Sequence, residues 1–152
     1  MTVYRLCKEL YKNDLSGRGA EIAGGRWNSK GITVLYTGDS RALCTTEIAV
    51  HTPLGILPND YYLISIKIPE QITIKELNPL DYPKNWQAIP FNNTTQEIGD
   101  RFVKENKYLL LKVPSVVVSG DFNYLINPLH KDFKKVAIQK IERFVFDKRL
   151  FK

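Results

Sequence analysis

An α+β domain with a mainly antiparallel sheet core and flanking helices is the fold class this sequence predicts, on three observations. Strand-like apolar runs outnumber helix-like ones, and the two kinds are not regularly interleaved. Neither a Gly-x-Gly-x-x-Gly fingerprint nor a Walker-type phosphate loop marks a doubly wound nucleotide fold, which also argues against a redox Rossmann enzyme or a nucleotide triphosphatase. At 152 residues with no internal repeat, the chain is long enough to bury one core and reads as a single domain over residues 1–152.

Residues 3–6 read as a short opening strand, and 13–25 are polar and glycine-rich enough for a loop that approaches a ligand. Residues 32–36 are β-branched and apolar, hence a strand. Thr37-Gly38-Asp39-Ser40 supplies a turn and an N-cap, after which Ala42, Leu43, Ala49 and Val50 mark the apolar face of a helix running to about His51. Residues 61–68 alternate with the period of a half-buried strand, and 72–77 suggest another. The proline-spaced stretch 79–90 reads as a surface connection. Thr94-Thr95-Gln96-Glu97 matches a capping box opening a second helix, with Ile98 and Phe102 facing inward and Gly99 permitting close packing. Residues 109–113 and 116–118 read as two buried strand pieces hinged at Pro114-Ser115, and 136–138 and 144–146 as strands.

Composition narrows the function classes. With 43% hydrophobic and 25% charged residues the chain falls in the ordinary globular range, and its longest apolar runs are far too short to span a bilayer. Lys8, Glu9, Lys12 and Asp14 interrupt the first turns, unlike a signal peptide, so a cytoplasmic location is expected with no membrane partner. Cys7 and Cys44 are too few for a disulfide framework or a zinc cluster and are expected to be buried free thiols. A net charge of +6, with a basic bias in the tail, admits nucleic acid, an anionic substrate or an acidic protein partner.

The residues suited to chemistry centre on Gly24-Gly25-Arg26-Trp27-Asn28. Beside glycine, a guanidinium can present a bidentate fork to a pyrophosphate while the bare backbone lets the ligand come close; a salt-bridged structural arginine is the other reading. Trp27 reads as a packing anchor and Asn28 as a turn residue. Tyr36 closes a strand where its ring could stack on a base or fill the core. Glu47 shares a helix face with Leu43 and His51, so its carboxylate either turns inward, a costly placement that wants a purpose, or outward to pair with His51 or Arg41. Glu47 to His51 lacks the first histidine of a metalloprotease signature, and a metal is not expected. Ser115 has no nucleophile elbow around it, and Asn123, Asn127-Pro128 and His130 are expected to form a polar loop of similar standing.

Taken in order, these segments resemble the RES domain family, named for an arginine, a glutamate and a serine, here Arg26, Glu47 and Ser115. The resemblance is carried by Tyr4-Arg5, Gly24 to Asn28, Val34-Leu35-Tyr36-Thr37, Glu47 with His51, Thr95 to Asp100, Val113-Pro114-Ser115, Leu125 to Pro128 with His130, and Phe146 to Leu150. Cys44, Thr45 and Phe102 depart from the expected pattern at packing positions. The resemblance implies an ADP-ribosyltransferase-like fold and a toxin that consumes NAD by cleaving its nicotinamide–ribose bond, as a glycohydrolase, phosphorylase or ADP-ribosyltransferase. NAD would then be substrate rather than cofactor.

It further implies Arg26, Tyr36 and Glu47 as catalytic residues and Arg5, His51, Ser115 and Asn127 as substrate-binding ones. The expected partner is an Xre-type antitoxin that covers the cleft, with nucleic acid reached only through it and a homo-oligomer allowed. A basic nucleic-acid-binding or RNA-cleaving module is the alternative, although aromatic residues are not interleaved with the basic ones as single-strand binding requires.

Overall fold

Seven strands form one sheet in a computed structural model of residues 1–152. They are β1 (Thr2–Lys8), β2 (Leu35–Gly38), β3 (Tyr61–Lys67), β4 (Ile74–Glu76), β5 (Leu110–Pro114), β6 (Phe122–Ile126) and β7 (Ala137–Phe144). Their order across the sheet is β4-β5-β6-β2-β1-β3-β7, and every pairing is antiparallel except that of β4 with β5. Three α-helices accompany them: α1 (Arg18–Ala23), α2 (Arg41–Val50) and α3 (Asn93–Glu105). No helix is long and apolar enough to cross a membrane.

The sheet is thin at its middle. β1 pairs with β3 along its whole length, from Thr2↔Lys67 to Lys8↔Tyr61, and β2 pairs with β6 over all of its residues. Between β1 and β2 the only registered pair is Tyr4↔Gly38. The sheet is therefore two blocks, β1-β3-β7 and β2-β6-β5-β4, that meet at one point and diverge from it.

Side-chain alternation assigns the faces. Val3, Leu35, Ile64, Ile66, Leu110 and Ile126 share one face that spans both blocks. On the other face the apolar residues fall into two clusters. Leu6 and Leu63 pack with Cys44 of α2 and with Phe146 and Phe151 near the C-terminus, whereas Leu111, Val113 and Leu125 pack with Phe102 and Val103 of α3 and with Trp27. Thus α2 lies mainly over the β1-β3-β7 block and reaches across the seam to Gly38, while α3 covers the other block.

Local chemistry explains where the sequence reading holds and where it shifts. Ser40 caps α2 as expected, its side chain accepting from the Leu43 N–H at 3.0 Å. α3 starts earlier than its capping-box motif suggests, because Asn92 is the N-cap, its side chain accepting from the Thr94 N–H at 3.0 Å. The stretch 13–25 contains α1 rather than loop alone, and β2 begins at Leu35, three residues later than predicted. β3 is buried on both faces at Leu63, Ile64, Ser65 and Ile66, since α2 lies on one side and loop residues on the other. Residues 116–118 form a turn instead of a strand, because the N–H groups of Val117 and Val118 donate to Ser115 Oγ and not to a ladder. The two predicted strands at 136–138 and 144–146 are replaced by the single edge strand β7, whose charged outer residues broke its apolar pattern.

Gly38, at the seam, is where β2 passes under α2: a Cβ there would stand 2.8 Å from Cys44 Sγ. Gly38→Ala is accordingly expected to destabilise by about 1–3 kcal/mol through overpacking, and to cost clearly less in a Cys44→Ala background. Thermal melts of the wild type, both single variants and the double variant test this. An equal cost in both backgrounds would show that the sulfur is not the obstacle.

Candidate active site

Arg26 sits at the tip of a two-residue turn closed by the Gly25↔Asn28 bridge, with Gly25 N–H donating to Asn28 O at 2.9 Å. Side chains from three directions fix this turn. From α3, Gln96 Nε2 donates to the carbonyls of Gly25 and Asn28, both at 3.1 Å, and Asp100 accepts from the Ser29 N–H at 2.8 Å and the Ser29 hydroxyl at 2.6 Å. Gln96, Gly99 and Asp100 share one helix face by their i, i+3, i+4 spacing. At Gly99 a Cβ would come within 1.6 Å of Trp27 O, so only glycine lets α3 lie against the turn. Asn28 is fully buried and donates to the carbonyls of Ala20 (2.8 Å) and Ile32 (3.0 Å).

Tyr36 fixes the turn from the sheet: its hydroxyl donates to Asn28 Oδ1 at 2.7 Å and accepts from the Trp27 N–H at 3.0 Å. Burial pushes the phenol far above its ordinary pKa, so it stays a neutral donor. Gly25 has no room for a side chain beside that hydroxyl, since a Cβ would lie 2.7 Å from it. With Trp27 buried in the α3 cluster, the turn directs Arg26 the other way, toward a cleft.

Glu47, on α2, points across the seam. Its Oε1 accepts from Asn123 Nδ2 at 2.9 Å and from the Ser115 hydroxyl at 3.1 Å, while its Oε2 accepts nothing from the protein. Ser115 Oγ itself accepts from the N–H groups of Val117 (3.1 Å) and Val118 (3.0 Å). Its lone pairs being used, its one proton is committed to Glu47. Arg41, the other partner considered for Glu47, pairs instead with Glu142 at 3.0 Å.

These groups line one cleft with two lobes. The larger, of about 500 Å³, is bordered by Arg26, Tyr36, Glu47, His51, Phe91 and Asn123. The smaller, of about 230 Å³, lies where β1 and β2 diverge and is walled by Tyr4, Arg5, Leu6, Thr37, Cys44 and Ile48. Tyr36, Glu47 and Asn123 border both lobes. Cys44 is no nucleophile: burial pushes its thiol up to about 12, and the neutral S–H donates to Tyr4 O at 3.3 Å.

The connection 79–90 is more than a surface link. Arg26 Nη1 donates to the carbonyls of Trp86 (2.8 Å) and Ala88 (2.9 Å), and its guanidinium lies 5.8 Å from the Phe91 ring centroid. The segment is thus a strap latched beside the cleft by Arg26, whose Nε and Nη2 remain as a fork for an anion. Partial burial lowers the guanidinium's pKa from its ordinary value, and the nearby Glu47 opposes that shift. An arginine still stays charged.

Of the residues picked out in the sequence, the structure brings Arg26, Tyr36, Glu47 and His51 to the larger lobe and Arg5 to the smaller. Arg5 also ties down the following turn, donating to the carbonyls of Asp14 (2.7 Å) and Tyr11 (3.3 Å). Ser115 is buried behind Glu47 and supports it rather than lining the cleft. Asn127 is not brought to the site: it is fully buried at the far end of β6, where it donates to Asn106 Oδ1 at 2.8 Å and accepts from the Leu129 N–H at 3.0 Å. Asn123 and Asn28 emerge as site residues that single-residue reasoning undervalued. In the tail, Lys135, Lys140 and Arg149 are paired with Asp132, Glu142 and Asp147 at 2.9, 3.0 and 2.7 Å, which breaks up a continuous basic face.

The arrangement offers an anion-binding fork, an aromatic wall and one oriented carboxylate. Such a set can hold a phosphorylated ligand at one end and stabilise positive charge at the other. Its donor set is poor for a metal, with no three His, Cys, Asp or Glu side chains grouped to hold one.

Known proteins resemble this chain in sequence and in fold. The RES domain model matches residues 2–147. A protein from Sphingobium sp. named Prs ADP-ribosylating toxin is 37% identical over 142 residues, covering 92% of this chain and 88% of its own length. A protein from Yersinia enterocolitica named Toxin Res is 37% identical over 153 residues, covering 99% of each. Among solved structures, a chain of the M. tuberculosis MbcT–MbcA toxin–antitoxin complex superposes with a TM-score of 0.69 at 20% identity, over 99% of this chain and 86% of that one. That likeness is one of fold, and it bears out the α+β, ADP-ribosyltransferase-like architecture expected from the sequence.

Two variants probe the geometry. Tyr36→Phe keeps the ring but strands the Trp27 N–H and Asn28 Oδ1, so a loss of about 1–3 kcal/mol is expected in chemical denaturation; an unchanged midpoint would show that other groups satisfy the turn. Arg26→Ala frees both strap carbonyls and is expected to speed tryptic cleavage after Lys84, followed by peptide mass spectrometry, with Arg26→Lys intermediate. Equal cleavage rates would mean that other contacts hold the strap.

Proposed function

This chain belongs to the RES domain family, and we propose that it is the toxin of a toxin–antitoxin pair, an enzyme that breaks the nicotinamide–ribose bond of NAD. The observation that carries this reading is Glu47: a carboxylate with one oxygen fixed by Ser115 and Asn123 and the other unpartnered, in a cleft shared with Arg26.

The chemistry needs little more. Nicotinamide leaves a cationic N-glycosidic linkage as a neutral molecule, so no general acid is required. Positive charge develops on the ribose as the bond lengthens, giving an oxocarbenium-like transition state. Glu47 Oε2 faces that charge and the ribose hydroxyls, while the free edge of the Arg26 guanidinium clamps the pyrophosphate. Tyr36 contributes its ring as a wall, its hydroxyl being committed to the Arg26 turn. Arg5 and His51 supply polar contacts at the margins of the two lobes.

The ADP-ribosyl group then passes to water, phosphate or a protein side chain, and the ADP-ribosylating relative from Sphingobium favours the last. The partner in this reading is an Xre-type antitoxin that covers the cleft, an acidic segment suiting the basic chain and its partly buried arginine fork. The enzyme acts in the cytoplasm, where NAD is available, and meets nucleic acid only through the antitoxin.

Purified protein incubated with NAD is expected to release nicotinamide, with Glu47→Gln slower by about 10²–10³-fold, the effect of removing one preorganised electrostatic group. A wild-type rate no higher than that of Glu47→Gln overturns the reading. Mass spectrometry of the products separates the acceptors: free ADP-ribose for water, its phosphate ester for phosphate, an adduct on a second protein for transfer.

A further inference from the structure

We propose that Asn123 is a positioning residue for Glu47, fixing the orientation of its carboxylate so that one oxygen stays aimed at the substrate; the proposal rests on the reading of Glu47 as the reacting carboxylate. Asparagine is disfavoured inside strands, yet Asn123 lies within β6, in register with Gly38 of β2 and Val113 of β5. Its neighbours on that face, Val113, Leu111 and Leu125, are fully buried apolar residues. Along β6 that face turns polar at Asn123, where it borders both lobes of the cleft.

The contact there is specific. Asn123 Nδ2 donates to Glu47 Oε1 at 2.9 Å, slightly closer than the Ser115 hydroxyl at 3.1 Å. Because an amide nitrogen only donates, this bond also fixes the orientation of the Asn123 side chain, with Oδ1 turned elsewhere. The two donors differ in placement: Ser115 is buried behind Glu47, whereas Asn123 is partly exposed at the cleft itself. Rotation about the terminal carboxylate torsion is soft and nearly two-fold. With one donor the carboxylate can swing; with two on the same oxygen, Oε2 stays aimed into the cleft.

Asn123 touches no part of the proposed pyrophosphate clamp, so its removal is expected to act on turnover rather than on binding. In nicotinamide-release assays, Asn123→Ala is expected to lower kcat about 10- to 100-fold, the loss of one hydrogen bond to a charged group, with KM changed by less than about threefold. A second measurement needs no activity. In a 15N-labelled sample the side-chain amide signals of Asn123, identified by their absence from Asn123→Ala, are expected to shift in Glu47→Ala. An unchanged kcat in Asn123→Ala, a fall explained wholly by KM, or amide signals indifferent to Glu47→Ala each overturn the assignment of Asn123 alone. A wild-type rate equal to that of Glu47→Gln overturns the functional reading and this role together.

Discussion

The structure depends on a seam: two sheet blocks that touch through Tyr4↔Gly38 and otherwise diverge. A continuous ladder between β1 and β2 would close the gap to ordinary strand spacing and leave no lobe there. Because the helix-bearing face is divided at the same line, α2 is anchored to one block while Ser115 and Asn123 belong to the other. The two hydrogen bonds received by Glu47 therefore bridge the blocks, joining residues 68 and 76 positions apart. The carboxylate is oriented only when both halves have folded against each other, so the integrity of the site and of the tertiary structure are one condition.

A second layer of constraint positions Arg26. Its turn is gripped by α3 through Gln96 and Asp100, braced from β2 by the Tyr36 hydroxyl and pinned internally by Asn28. None of these groups needs to touch a ligand for the guanidinium to be placed. The same guanidinium holds the 79–90 connection by two carbonyls, so the strap beside the cleft and the anion fork share one residue. Binding an anion and retaining the strap are compatible because the carbonyls occupy only Nη1.

What was legible in the sequence was local or ordered. The Ser40 cap and the apolar face of α2 follow from neighbours a few residues away, whereas the need for glycine at 99 comes from the distant Trp27 carbonyl. Arg26, Tyr36 and Glu47 stand out as a set because their order resembles a family, each being ambiguous alone. Partnerships across the chain were not legible: nothing near Asn123 announces that Glu47 lies against it, and nothing near Gln96 announces that it reaches to residues 25 and 28. Asn127 illustrates the converse. It sits in a polar motif with proline and histidine that looks suited to a ligand, yet its hydrogen bonds all close a buried corner. Asparagine serves both ends equally well, and only the fold separates them.

Gly99 has a consequence for how such a chain can lose its effect. With 1.6 Å between a would-be Cβ and the Trp27 carbonyl, every other amino acid at this position must push α3 off the turn that carries Arg26. In a population where carrying this gene is a burden, disabling alleles therefore have a larger target than the residues that face a ligand. Some would read, in a list of variants, as innocuous changes of a helix glycine.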